Sequence, residues 1–173
     1  MEFDLNEIKE IALAKENEND LFRQYLSSCG EAAVDERVHA LNERITPQID
    51  CTKCGNCCRS LMINVDKEDA SRLSDHLQLS EAVFMEKYVE VSASGSLAIM
   101  NTIPCHFLED NICQVYTARP KECREFPGLH QAGFVKRSFT YFMHYGRCPI
   151  IFHVIEELKK ELKFETEVPL NRM

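Results

Sequence analysis

Four cysteines fall within eight residues in the segment Cys51-Thr52-Lys53-Cys54-Gly55-Asn56-Cys57-Cys58. Packing does not account for such density, because a buried cysteine acts as a small hydrophobe and is used singly. Cys51, Cys54 and Cys57 repeat with two residues between neighbours. That spacing lets sulfurs converge on one ion while backbone N–H groups point at them. Three repeats in a row can wrap corners of an iron–sulfur cubane. Tetrahedral zinc more often takes two ligands from one such knuckle and two from a distant segment. The triplet therefore leans towards an iron–sulfur cluster ([4Fe-4S] in type) and leaves zinc open. With Gly55 at its middle, the segment is expected to be an irregular loop wrapped round an ion. Adjacent residues usually direct their side chains apart, so Cys57 and Cys58 are expected to serve different centres, or one to stay unused.

The whole chain has nine cysteines in 173 residues. In a reducing compartment such enrichment points to metal or catalysis rather than disulfides, and an odd count forbids complete intramolecular pairing. Cys29 reads as an ordinary packing residue at a helix end. The other eight, Cys51, Cys54, Cys57, Cys58, Cys105, Cys113, Cys123 and Cys148, are the candidate metal ligands. They suffice for two four-thiolate sites, or for one site with spare ligands. The first centre is expected to use Cys51, Cys54 and Cys57 with either Cys123 or Cys148. Four thiolates around a dication leave an excess of negative charge, which Arg59, Arg119, Arg124 and Arg147 would offset. Arg119 and Arg124 could instead hold an anionic substrate, and a solvated surface position is an equal reading for any one of the four. His106 adjoins Cys105 and could be a ligand or a donor to one. Glu109, Asp110, Glu122 and Glu125 lie near the metal segments but do not pair as acid and base, and they read as solvated charges. The sequence contains no glycine-rich phosphate loop, nucleophile elbow or H-E-x-x-H motif, so no catalytic residue is assigned.

Charge and hydropathy restrict the partners. The net charge of −8 with neutral histidines argues against nonspecific nucleic-acid binding, which draws its affinity from Lys and Arg on phosphates. It equally disfavours anionic membrane surfaces. The longest apolar runs, such as residues 148–155, are too short to span a bilayer. The acidic N-terminus lacks the basic and apolar regions of a secretory signal, so a cytoplasmic address is expected. Besides the metal, a protein partner docking on the N-terminal helices is the remaining expectation.

Residues 3 to 45 carry Leu5, Ile8 and Ala12, then Leu21, Tyr25 and Leu26, at helical spacing, and predict one or two helices with a stop near Gly30. Leu61–Val65 predicts a short strand. Asp66 and Ser80 are placed to cap helices over about Lys67–Leu77 and Glu81–Tyr88. Val89–Met100 predicts a hairpin around Gly95, and the Asp110-Asn111 pair a tight turn between Cys105 and Cys113. Ala118–Cys123 predicts a short proline-initiated helix. The aromatic run Phe134–Tyr145 predicts a buried strand. After Cys148-Pro149, the stripe Ile151, Ile155, Leu158, Leu162 predicts a C-terminal helix. The expected fold class is α+β: a small irregular metal-stapled cysteine-rich domain with flanking helices, an N-terminal helical extension and a C-terminal helix. Its expected parts are an extension over 1–48 packed on the module, a cysteine-cluster domain over 49–165, and a tail over 166–173.

Several motifs in order carry a resemblance. Cys51-x2-Cys54-Gly-x-Cys57-Cys58 is followed by Pro104-Cys105-x-Phe107-Leu108, Cys113-x-Val115-Tyr116, Arg119-Pro120-x2-Cys123-Arg124-x-Phe126-Pro127 and a late Cys148. Over roughly residues 50 to 150 this pattern resembles the CxxCxxCC (YkgJ-type) cysteine-cluster family of zinc- or iron-chelating domains. The resemblance implies a zinc- or iron-chelating protein, and the cysteine count is read as one or two thiolate centres, structural and with a redox role open to them. The module is also similar to that of flagellin lysine N-methylases, which implies an iron–sulfur centre. An enzyme of protein modification and a zinc-stapled interaction module are the alternative readings.

Overall fold

A computed structural model describes residues 3–165, so the tail expected over 166–173 lies outside the described residues. Along the chain run α1 (Leu5–Ala14), α2 (Glu16–Ser28), α3 (Glu31–Ile45), a 3-10 turn (Thr46–Gln48), α4 (Cys51–Cys54) and α5 (Asn56–Ser60). Then come α6 (Lys67–His76), α7 (Glu81–Tyr88), β1 (Val89–Val91), β2 (Ala98–Met100), β3 (Leu108–Glu109) and β4 (Ile112–Cys113). The chain continues with α8 (Lys121–Glu125), α9 (Ser138–Met143) and α10 (Pro149–Glu161). The class is α+β, with helix predominating and two small antiparallel hairpins. Two compact units divide the chain: one formed by the described residues up to Ile49 and from Pro127 onward, the other by Asp50–Phe126. Among the described residues, no helix is long and apolar enough to cross a membrane.

The first unit is helical. Asp4 caps α1 by accepting from the Asn6 N–H at 2.7 Å, satisfying a donor that a helix start leaves open. Where one or two N-terminal helices were expected there are three, because the chain breaks at Lys15 inside the charged stretch and again at Cys29-Gly30. Val34, Val38, Leu41 and Ile45 give α3 one buried face, and that face packs with α10. On α10, Ile151, Val154, Ile155 and Leu158 are fully buried, and Cys148 and Pro149 open the helix as the sequence predicts.

The aromatic run is a correction. Residues Ser138–Met143 form α9 rather than a strand. Its buried positions Ser138 and Tyr141, with Tyr145 just beyond its end, recur at intervals of three and four, while Phe139 is 60% exposed. This is the helical period, which the density of aromatic side chains concealed. Tyr141 stacks on Phe134 at 4.7 Å and donates its hydroxyl to the Gly128 carbonyl at 2.8 Å.

Beneath α10 lies a buried ionic network. Lys159, only 5% exposed, donates to Glu18 at 2.7 Å, Asn19 at 2.6 Å and Glu156 at 2.9 Å. Glu156 also accepts from Lys15 and from the Tyr145 hydroxyl at 2.7 Å. Burial would raise the Glu156 carboxyl, but the hydrogen bonds from Lys15, Lys159 and Tyr145 outweigh it and hold the group at about 2.

The second unit has its own apolar core of Val65, Ala70, Leu73, Phe84, Val89, Met100, Phe107, Val115 and Ala118, with Cys105 and Cys113 packed against it. Asp66 caps α6 through the Asp69 N–H at 2.7 Å, and Ser80 caps α7 through the Val83 N–H at 3.3 Å. β1 and β2 pair antiparallel, Val89 opposite Met100. The strand expected over Leu61–Val65 reduces to a bridge, Asn64 opposite Ile99, flanked by Val65 N–H to Ala98 and Met100 N–H to Ile63, both at 2.9 Å. β3 and β4 pair through a two-residue turn in which Asp110 (φ 45°) and Asn111 (φ 66°) are both left-handed. Asn and Asp are the side-chain-bearing residues that tolerate this conformation best, and such a turn suits the twist of a hairpin.

Candidate metal centre

The cysteine-dense segment is regular, contrary to the irregular loop expected. It forms two single-turn helices, α4 and α5, joined at Gly55. Asp50 starts α4 by accepting from the Thr52 N–H at 3.0 Å. Gly55, at φ +57°, ends α4 in the left-handed conformation and caps α5. A Cβ there would stand 3.3 Å from Arg59 Nη1 and from the Cα of Asn111 in the β3–β4 turn. The glycine thus answers two demands, a left-handed backbone and close approach to the hairpin that carries Cys113.

Helical geometry also overturns the expectation for Cys57 and Cys58. Successive residues of a strand point to opposite faces, but those of a helix turn by only about 100°. Both cysteines lie in α5, and their Sγ atoms are 4.0 Å apart. They converge.

The remaining ligand candidates of this unit are held in place by backbone and side-chain contacts. Cys105 donates its N–H to the Cys58 carbonyl at 2.8 Å. Cys113 closes β4, its strand paired with β3. Cys123 lies in α8, which is anchored from α6. There Asp69, 2% exposed, accepts from the Lys121 N–H at 2.9 Å and pairs with Arg72. Arg72 in turn reaches the carbonyls of Ala118 and Arg119, each at 3.2 Å. Glu122, expected to be merely solvated, accepts from the Asn64 N–H at 2.9 Å and side-chain amide at 2.6 Å. Asp69, Arg72 and Asn64 had no part in the sequence reading. The one available signal, an Asp and an Arg at i and i+3 on a capped helix, is too common to single out. Cys148 belongs to the first unit, where it is the buried N-cap residue of α10. Cys29 caps the end of α2 and directs its thiol to the Tyr25 carbonyl at 3.5 Å. Among the described residues all nine cysteines are thiols rather than disulfides.

The sulfurs receive backbone donors at a repeated spacing. The N–H of Asn56 bonds to Cys54, that of Phe107 to Cys105 and that of Val115 to Cys113, in each case two residues on. Such bonds favour the thiolate, the form that ligates metal. Burial opposes them, raising Cys54, Cys105 and Cys113 and pushing Cys123 up to about 12. Cys57 is the exception. The Cys58 thiol hydrogen-bonded to it brings it down to about 7, and Cys58, as the donor, is raised. The charge of Cys57 in turn raises each of Cys51, Cys54, Cys58, Cys105, Cys113 and Cys123.

Two of the four arginines face this cluster. Arg59 donates to the Cys54 carbonyl at 2.9 Å, and its charge favours the Cys54 and Cys57 thiolates. Arg119 lies over the Tyr116 ring at 3.8 Å and donates to the Tyr116 carbonyl at 2.6 Å. Its charge favours thiolates at Cys51, Cys113 and Cys123. Arg124 instead braces the backbone, donating to the Arg119 carbonyl at 2.8 Å. His106 is engaged with Asn101 through Nε2 at 2.7 Å and meets the edge of Tyr88.

Among the described residues, no three His, Cys, Asp or Glu side chains are already drawn together as a closed metal site. The donor set nonetheless fits a thiophilic metal: seven thiols in one unit, backbone N–H groups on four of them, and two facing guanidinium groups. The Cys57–Cys58 separation of 4.0 Å is close to the edge of a tetrahedron of sulfurs, about 3.8 Å for zinc–sulfur bonds of about 2.3 Å.

A donor set of this composition is of the kind that metal-chelating domains use. The family model CxxCxxCC, described as "Putative zinc- or iron-chelating domain", matches residues 50–148. The chain belongs to this family, and the resemblance carried by the ordered motifs is borne out. No solved structure matches it.

Proposed function

We propose that residues 50–126 form a metal-binding module whose ligands are thiolates of Cys51, Cys54, Cys57, Cys58, Cys105, Cys113 and Cys123, and that its metal is zinc. The observation that carries this reading is the 4.0 Å between the Cys57 and Cys58 sulfurs. Two sulfurs at a tetrahedral edge suit one ion. In a cubane each thiolate serves a different iron and points outward, so ligands stand farther apart. The role of the metal in this reading is to fasten α4, α5, the β3–β4 hairpin and α8, which lie at the margin of the apolar core, into one arrangement. A cytoplasmic setting is in keeping with it, because the thiols must stay reduced to bind.

The test is elemental analysis and the visible spectrum of the full chain purified without oxygen. Stoichiometric zinc in a colourless protein is expected, with cobalt replacing zinc to give the intense absorption of tetrahedral thiolate coordination. A brown protein containing iron and acid-labile sulfide would replace zinc by a cluster, and absence of any metal would end the reading.

A further inference from the structure

Cys123 sits in α8, a helix of five residues. So short a helix does not stand alone in water, because ordering its first turn costs more than its few hydrogen bonds return. Its start is also bare. Pro120 occupies the cap position without a side-chain hydrogen bond, and proline has no N–H to offer. The ties that hold this end of α8 come from α6. We propose that Asp69 and Arg72 are positioning residues of the metal centre, holding Cys123 in its ligating place before the metal arrives.

This rests on the reading of Cys123 as a ligand and adds what readies it. Asp69 is 2% exposed, and a carboxylate so buried is costly unless it is paired and hydrogen-bonded. It accepts from the Lys121 N–H at 2.9 Å. That is the first open donor of α8, so Asp69 caps the helix from a different one. Arg72 pairs with Asp69 and donates to the Ala118 and Arg119 carbonyls, each at 3.2 Å. The two side chains thus grip the backbone on both sides of Pro120. A planar guanidinium can serve one carboxylate and two carbonyls at once, which an ammonium on a flexible stem does poorly. Ala118 belongs to the apolar core, so the clamp fastens the start of α8 to the packed body of the unit. A ligand already in place binds with less ordering cost. The apparent dissociation constant therefore rises as the fraction of chains with Cys123 in place falls.

The experiment labels the reduced, metal-free full chain with N-ethylmaleimide and reads the rate at each cysteine by peptide mass spectrometry. Zinc affinity is then measured by competition with a chelator. Asp69→Ala should raise the rate at Cys123 roughly tenfold or more, the size of effect expected for a lost bond to a charged group, while Cys54 and Cys105 keep theirs. Zinc affinity should fall by a similar factor. Asp69→Asn keeps an acceptor for the Lys121 N–H and should recover part of both losses. Arg72→Gln, at a partly exposed position, reports on the clamp if Asp69→Ala does not fold. Leu73→Ala is the comparison, because it loosens the core and should speed all seven thiols of the unit together. A rise shared by all seven in the Asp69 and Arg72 variants, or no rise at Cys123, overturns the proposal. Faster labelling at Cys123 with wild-type zinc affinity overturns it too, since the clamp would then hold a residue that the metal does not use. A wild-type chain that takes up no zinc overturns the thiolate reading itself, a result that needs no variant.

Discussion

Gly55 and Asn111 meet so closely that a Cβ on the glycine would stand 3.3 Å from the Asn111 Cα. The contact seats the α4–α5 knuckle on the hairpin that carries Cys113. Gly55→Ala adds the strain of a left-handed side-chain-bearing residue, about 1–2 kcal/mol, to a crowded neighbour. Metal affinity, measured by competition with a chelator, should fall roughly tenfold, since 1.4 kcal/mol corresponds to that factor. Unchanged affinity would show that the hairpin does not help to form the site.

Arg119 stacks on Tyr116 and directs its charge at Cys51, Cys113 and Cys123. Replacing it with Gln leaves the thiolates less well compensated. Because the group is near the surface, the loss in metal affinity should be on the order of tenfold and should shrink as salt is added. Arg119→Lys should recover the charge but not the planar stacking, and so fall between. Equal affinities for all three proteins, compared at low and high salt, would remove the arginine from the account.

The second unit's core offers a way to separate packing from metal. Leu73 is fully buried there, and Leu73→Ala should destabilise the unit by about 2–5 kcal/mol. Metal at a hundredfold excess over its dissociation constant returns about 2.7 kcal/mol. Hydrogen exchange at the α6 and α7 amides should therefore speed up in the metal-free variant and slow again on adding zinc. Exchange insensitive to zinc would mean that the metal does not support this unit.

Acid should weaken the first unit through Glu156. Its carboxyl is held at about 2, against an ordinary value of 4.5. A depressed folded value means that the stabilisation is complete above the unfolded value and is lost as pH falls through the folded one. The shift corresponds to roughly 3 kcal/mol, so the stability difference between wild type and Glu156→Gln should narrow by that order between about pH 5 and pH 2. Parallel pH profiles for the two proteins would show that the Lys15, Tyr145 and Lys159 contacts do not set this group's titration.

How much of this was legible in the sequence depends on how local each signal was. The Asp66 and Ser80 caps, the Asp110-Asn111 turn, the hairpin around Gly95 and the Cys148-Pro149 helix start are short-range features, and each is found where predicted. The run from Phe134 to Tyr145 misled because aromatic side chains favour strands in general, whereas here burial follows a helical period. The cysteine segment was legible as chemistry but not as geometry. Once Asp50 and Gly55 make α4 and α5 helical, the sulfurs of Cys57 and Cys58 converge instead of parting. The supports of α8, Asp69 with Arg72 and Asn64 with Glu122, join residues about fifty positions apart, a distance at which pairwise contacts leave no trace in one sequence.

X-ray absorption at the zinc edge of the full chain tests the central claim most directly. The account predicts a first shell of sulfur alone, four per ion at about 2.3 Å. A shell containing nitrogen or oxygen at about 2.0–2.1 Å would contradict it, because the seven cysteines of residues 50–126 would then not be the whole of the ligand set.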